Sequence, residues 1–198
     1  MQLPVTLIGA GLPQLIGQMG KAKSYAERLF EFTTIGRLPE DQARRALIEP
    51  ANRAGAAFDD DALREIVAQT RGYPYFLQEW GKHSWNCADQ SPIRVHDVTD
   101  CATVQAIAEL DQSFFRVRLD RLTPAERRYM RAMAELGPGP HRSGDIASML
   151  GREVRTVAPI RSKLIDKGMI YSPAHGDTAF TVPLFDEFMK RIMPGMDA

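Results

Sequence analysis

The last third of the chain is punctuated so densely that few folds can accommodate it. Thr123-Pro124-Ala125-Glu126 is a capping box with proline at the first helical position, so a helix opens there and its apolar residues carry it to Leu136. Gly137-Pro138-Gly139-Pro140 stops it. Residues 143–150 make a short helix with Ile146, Ala147 and Leu150 inward, and Gly151 ends it. A third helix over 154–167 places Val157, Ile160, Leu164 and Ile165 along one side, with Gly168 at the left-handed position beyond its end. Residues 169–171 and 180–182 flank His175-Gly176-Asp177 as the arms of a hairpin, and 184–192 closes as a helix.

A helix, a short helix, a glycine turn, a longer helix and a hairpin make a winged helix-turn-helix. Ala147 is small enough for two helices to cross closely, and Leu150, Val157, Ile160 and Leu164 fill the space between them.

The first two thirds are helical in a different way. Residues 40–54 carry Ala43, Ala46, Leu47 and Ala51 on one face, with Pro39 before and Gly55 after; Pro50 should bend or end this helix early. Asp59-Asp60-Asp61 provides a cap and a negative first turn for a helix over 62–70. Gly72-Tyr73-Pro74 breaks the chain before an aromatic helix over 75–88, and strand-like Ile93-Arg94-Val95 leads to Asp97, which can cap a long helix to about 119. Upstream, residues 3–9 read as a short buried strand ended by Gly9-Ala10-Gly11. Residues 12–20 form a weak helix, Ser24 caps a short helix to Arg28, and 30–35 alternate as a second strand. The predicted fold is mainly α, with boundaries at 1–37, 38–96, 97–121 and 122–198.

Composition narrows the classes. The 198 residues hold 25 Lys+Arg against 25 Asp+Glu, with a slight basic excess confined to the last third. That is far from the basic footprint of a non-specific nucleic-acid binder, so any DNA contact needs a local patch. No run approaches the roughly 20 apolar residues of a membrane span. The start lacks the basic and small-residue features of a leader, so a cytoplasmic location and no membrane partner are expected. Cys87 and Cys101 lack CxxC spacing, which indicates neither a disulfide framework nor a zinc site, and His83, His96, His141 and His175 are scattered, so no metal centre is expected.

The order of strand, helix, strand, helical bundle and winged helix resembles the C-terminal half of an AAA+ or STAND-type ATPase, of the branch with origin-recognition-like and archaeal-type proteins. Leu3-Pro4-Val5-Thr6-Leu7-Ile8-Gly9 matches the fourth sheet strand, Tyr25-Ala26-Glu27-Arg28-Leu29-Phe30 leads into the fifth, and Thr70-Arg71-Gly72-Tyr73-Pro74-Tyr75-Phe76-Leu77 opens the third lid helix. The resemblance implies that Gly72, Tyr73 and Pro74 lie against a nucleotide and that Arg28 stands where such ATPases carry an arginine finger. Two positions depart from it. Gly9-Ala10-Gly11 replaces a polar sensor, and Tyr75 occupies the place of a sensor arginine.

No Gly-x-x-x-x-Gly-Lys-Ser/Thr loop occurs, and no apolar strand ending in paired acids precedes the lid. Without converging backbone N–H groups, a lysine and a magnesium-binding hydroxyl, phosphoryl transfer has nothing to stabilise it. The chain is therefore expected to be non-catalytic and to need no cofactor by itself, ATP and Mg²⁺ belonging to an intact parent. It reads as a rear portion of such a protein. Residues 1–37 would then be disordered, paired non-natively, or completed by a second chain, either the missing N-terminal half or another copy.

Alternatives stand beside each assignment. Arg28 can be a surface arginine paired with Glu27 or Glu31, and Pro74 a plain helix start. Arg152, Arg155, Ser162 and Lys163 on the third winged-helix helix, with His175 at the wing, can face double-stranded DNA. Pro159 in the middle of that face, with Glu153 and Asp166 nearby, favours packing or regulation instead, and Arg161 beside the apolar row suits an internal ion pair. Tyr73, Tyr75, Phe76, Trp80 and Trp85 read as lid core. The competing reading of the whole chain is a free-standing winged-helix DNA-binding regulator with a helical dimerisation domain.

Overall fold

The structure, a computed structural model, describes residues 6–11, 29–33 and 35–195. The expectations placed on 1–5, on the helices within 12–28 and on Arg28 lie outside these residues. Residues 6–11, 30–33 and 35–37 form no strand, and Leu7, Ile8 and Ile35 are 77%, 94% and 90% exposed. For the residues described, this corrects the predicted strands, the buried one over 3–9 and the alternating one over 30–35. Among the described residues neither segment has a strand to pair with, and an apolar run without a ladder partner does not make a strand.

Four helices follow: α1 (Glu40–Arg53), α2 (Asp60–Thr70), α3 (Pro74–Cys87) and a long α4 spanning 97–119. In α1 the buried residues Ala43, Leu47 and Ala51 repeat every four positions, which sets one apolar edge against the bundle. Pro50 does not stop α1 at once; the helix ends within a turn of it, at Arg53. Asp59 occupies the N-cap of α2 without a side-chain cap hydrogen bond, so the acidic run acts through Asp60 and Asp61 in the first turn rather than through the expected cap. Ile93 makes a single parallel bridge to Phe58 in place of a strand. Helix α4 contains two π-helical stretches, Asp97–Ala102 and Leu110–Phe115, where the wider turn re-aims the side chains.

Helices α3 and α4 run antiparallel with matched four-residue steps. Glu79 and Glu109 share the Lys82 ammonium at 2.9 Å each, His83 faces Gln105 at 3.1 Å, and Cys87 is disulfide-bonded to Cys101. This single disulfide was not indicated by the cysteine spacing. Residues four apart share a helix face, so once one rung of an antiparallel pair is set, the rungs above and below it follow.

The winged helix comprises α5 (Pro124–Leu136), β1 (His141–Arg142), α6 (Ser143–Met149), α7 (Val154–Asp166), β2 (Ile170–Tyr171), β3 (Asp177–Phe180) and α8 (Phe185–Ile192). The sheet order is β1-β3-β2, with His141 opposite Thr178 and Ile170 opposite Phe180. The capping box of Thr123 and Glu126 forms as read. Strand β1 was not anticipated, because two residues carry no period. One core runs from Ala43 in α1 to Met193 beyond α8 and joins the helical bundle to the winged helix. No helix of the described residues is long and apolar enough to cross a membrane.

Glu126 is buried and accepts from Lys167 Nζ at 2.7 Å and from the Thr123 backbone N–H, also at 2.7 Å. Burial opposes its charge, but the hydrogen bonds from Lys167 and Thr123 outweigh it and hold the carboxyl below the ordinary glutamate value. Its contribution is complete above the unfolded value of 4.5 and is lost as pH falls through the lower folded one. Urea midpoints of wild type and Glu126→Gln should therefore differ near neutrality and converge below pH 4.5. The disulfide closes a segment with a sequence separation of 14. Reducing it should lower the unfolding free energy by about 3 kcal/mol, measured by urea titration with and without a phosphine reductant.

Candidate functional site

Arg71, Gly72, Tyr73 and Pro74 form the turn between α2 and α3, and its shape is set by backbone. Arg71 and Gly72 are both left-handed, with φ of 52° and 70°. The Gly72 carbonyl accepts from Leu38 N–H at 2.9 Å, and a Cβ on Gly72 would stand 2.6 Å from the Leu38 carbonyl oxygen. Only glycine fits there. Pro74 is the first residue of α3, where its missing N–H costs nothing. Tyr73 is half-buried and Pro74 exposed, so the turn presents a short ring-lined surface.

The turn is wired to the winged helix by charge. Arg71 reaches α8, with Nη2 2.6 Å from Glu187 and Nη1 3.9 Å from the buried Asp186. Arg71 and Leu184, the residue before α8, are the two non-glycine residues with positive φ among those described. Both strained positions flank one junction, a clustering common where a structure stores a switch. A small pocket there is lined by Gln69, Trp80, Phe115, Leu184, Glu187 and Arg191. Arg191 in turn pairs with Asp111 of α4 at 2.6 Å.

Aromatic rings make the second connection. Tyr73 packs on Phe76 with centroids 4.7 Å apart, Phe76 on Phe115 at 5.8 Å, and Phe115 on Phe185 and Phe188 at 5.5 and 5.0 Å. Phe185 then stacks on Phe180 of β3 at 6.1 Å. Rings at these separations attract beyond simple burial. Phe76 and Trp80 are buried as expected of lid core, but Tyr75 and Trp85 are 41% and 44% exposed, which corrects that part of the reading. Tyr75 lies on Phe114 at 5.1 Å; burial, then Glu79 and Glu109, push its hydroxyl above the ordinary tyrosine value.

On the winged helix, Arg152, Arg155, Ser162, Lys163 and His175 are all exposed, as a contact surface requires. Pro159 is also exposed, in the middle of the same α7 face. Arg155 is paired with Glu153 at 2.5 Å, which tempers the positive charge. Among the described residues Arg161 makes no ion pair; it donates to Thr178 Oγ1, Ser172 Oγ and the Asp177 carbonyl, locking α7 to the hairpin. Ser143 fixes the other side of the wing, with N–H and hydroxyl both donating to the Gly176 carbonyl. The turn and the α7 face are separate surfaces, joined through α8. Sequence reading missed Arg71, although a long cation beside the glycine turn was the available signal.

Comparison with known proteins gives the following. The model of a family described as a domain of unknown function (DUF8462) matches residues 112–189. The uncharacterized HTH-type transcriptional regulator MJ0774 of Methanocaldococcus jannaschii is 25% identical over 183 residues, covering 86% of this chain and 43% of that protein. Among solved structures, the K64R mutant of Thermotoga maritima RuvB aligns with a TM-score of 0.39 and 17% identity, over 79% of this chain and 51% of that one. The T. maritima RuvB Holliday junction branch migration motor aligns at 0.36 and 17%, over 73% and 47%. The chain thus spans less than half of the archaeal relative and about half of the RuvB chains.

Gly72→Ala combines left-handed backbone with the clash at Leu38, whereas Gly55, at φ 79°, has nothing within 4 Å of its would-be Cβ. Gly55→Ala should cost about 1–2 kcal/mol and Gly72→Ala clearly more, compared by urea unfolding of the two variants.

Proposed function

We propose that this chain is the lid and winged-helix part of an AAA+/STAND-like ATP-binding protein, non-catalytic alone, in which the Gly72-Tyr73-Pro74 turn senses nucleotide and α8 passes its state to the winged helix. The observation that carries this reading is the double connection of the turn to α8, through Arg71 to Glu187 and Asp186 and through the rings from Tyr73 to Phe188. A ligand that moved the turn would have to break or drag these contacts, so differential binding would shift the winged helix. ATP and Mg²⁺ would be held chiefly by a nucleotide-binding half on another chain or segment, with Arg28 acting there as an arginine finger. The cytoplasm suits such a protein.

A second reading draws on the archaeal relative, which is named an HTH-type transcriptional regulator. In it the exposed Arg152, Arg155, Ser162, Lys163 and His175 bind duplex DNA, the cations holding phosphates and guanine edges. The two readings are compatible if DNA is what the switch controls.

Hydrogen exchange on the full chain tests the coupling. Arg71→Ala should speed exchange in α8 as well as in the turn; an effect confined to the turn removes the connection. The purified chain should show no magnesium-dependent ATP binding, and tight binding would overturn its non-catalytic reading. Duplex DNA titrated at low salt should bind, and Arg155→Ala with Lys163→Ala should weaken it; absent or unchanged binding removes the DNA component.

A further inference from the structure

Away from the turn and the wing, Glu79, His83 and Glu109 bring one nitrogen and two oxygen ligand atoms within 4.8 Å of one another. Glu79 and His83 are one turn apart on α3, and Glu109 comes from the facing α4. His83 is 7% exposed, so its ring is fixed by what surrounds it. The Gln105 amide nitrogen donates to Cys101 Sγ at 3.2 Å, which directs its Oε1 to His83 Nδ1 at 3.1 Å. When Nδ1 donates to that oxygen, Nε2 is left facing Glu109 Oε2 at 3.0 Å and Glu79 Oε2 at 3.9 Å.

A neutral ring protonated at Nδ1 would point a lone pair at two carboxylates. The Lys82 ammonium, 2.9 Å from both carboxylates, offsets their charge, and a metal ion at the lone pair would do so more directly. A histidine whose far nitrogen donates to a carbonyl oxygen, beside carboxylates, is the arrangement that orients and strengthens an imidazole ligand. The two His83–carboxylate edges, 3.0 and 3.9 Å, lie near the roughly 3.3 Å edge of a tetrahedron with arms of about 2.0 Å, the zinc–nitrogen and zinc–oxygen distance, and all three ligand atoms lie within 4.8 Å.

We propose that Glu79, His83 and Glu109 form a zinc(II) site, with Gln105 as the positioning residue behind His83 and Lys82 as an internal cation that zinc displaces. Lys82 sits 2.9 Å from both carboxylates and is itself 45% exposed on its side chain, so its ammonium can swing into water when a metal enters. Three protein ligands leave a fourth position for water. The site joins the rung of Glu79 and Glu109 to His83 on the side of the disulfide, so the ion would clip α3 to α4 at mid-height.

The test uses the full chain with its disulfide intact, so that no thiol competes, stripped of metal and titrated with Zn²⁺ against a chromophoric chelator. One zinc per chain is expected. Glu109→Gln, at a half-exposed position that leaves the bundle folded, and Gln105→Leu should each weaken binding by about tenfold or more. Lys82→Met should tighten it, an effect that a purely structural role for the cluster would not produce. Absence of saturable binding, indifference to Glu109→Gln, or weaker binding in Lys82→Met overturns the assignment.

Discussion

The ring of Phe115 is the contact on which the rest of the structure depends. It is buried to 1% exposure at the end of the second π-helical stretch of α4, and it touches Phe76 of α3 on one side and Phe185 and Phe188 of α8 on the other. No other aromatic residue described touches rings of both α3 and α8. A close-packed interior of this kind transmits displacement rather than absorbing it, because each ring has little space to yield into. The π-helical turn matters here because it places Phe114 and Phe115 in succession against the bundle.

The polar contacts around this ring fix its direction. Arg71 and Arg191 hold α8 from two sides, by way of Glu187 and Asp111. Arg118 lies 3.7 Å over the Phe114 ring and donates to the Phe114 carbonyl, and burial pushes its guanidinium down. Exposed ion pairs add little stability each, but geometrically constrained ones select one arrangement of packed elements over another. On the far side of α3 the ladder of Lys82, His83 and the disulfide ties the same helix to α4, so the bundle is braced where it does not face the winged helix.

The winged helix is held differently, by its own short-range bonds. Lys167 bridges Glu126 and the Arg121 carbonyl, which joins the end of α7 to the start of α5. Arg161 and Ser143 fasten the hairpin to α7 and α6.

The sequence by itself determined the helices of the winged domain, its capping box, the break at Gly72 to Pro74, and the exposure of Arg155, Lys163 and His175, because these follow from local rules: capping, proline and glycine geometry, and helical period. It anticipated that residues 1–37 would lack their sheet partners but still read 3–9 as a buried strand, since an apolar run states a strand's preference and not its partner. Strand β1, the disulfide and the role of Arg71 were also beyond it. Each depends on which residue lies opposite across tens of positions, as Cys87 lies opposite Cys101 and Arg71 opposite Glu187. That register is fixed only when two helices pack, by the shape of the faces they bury.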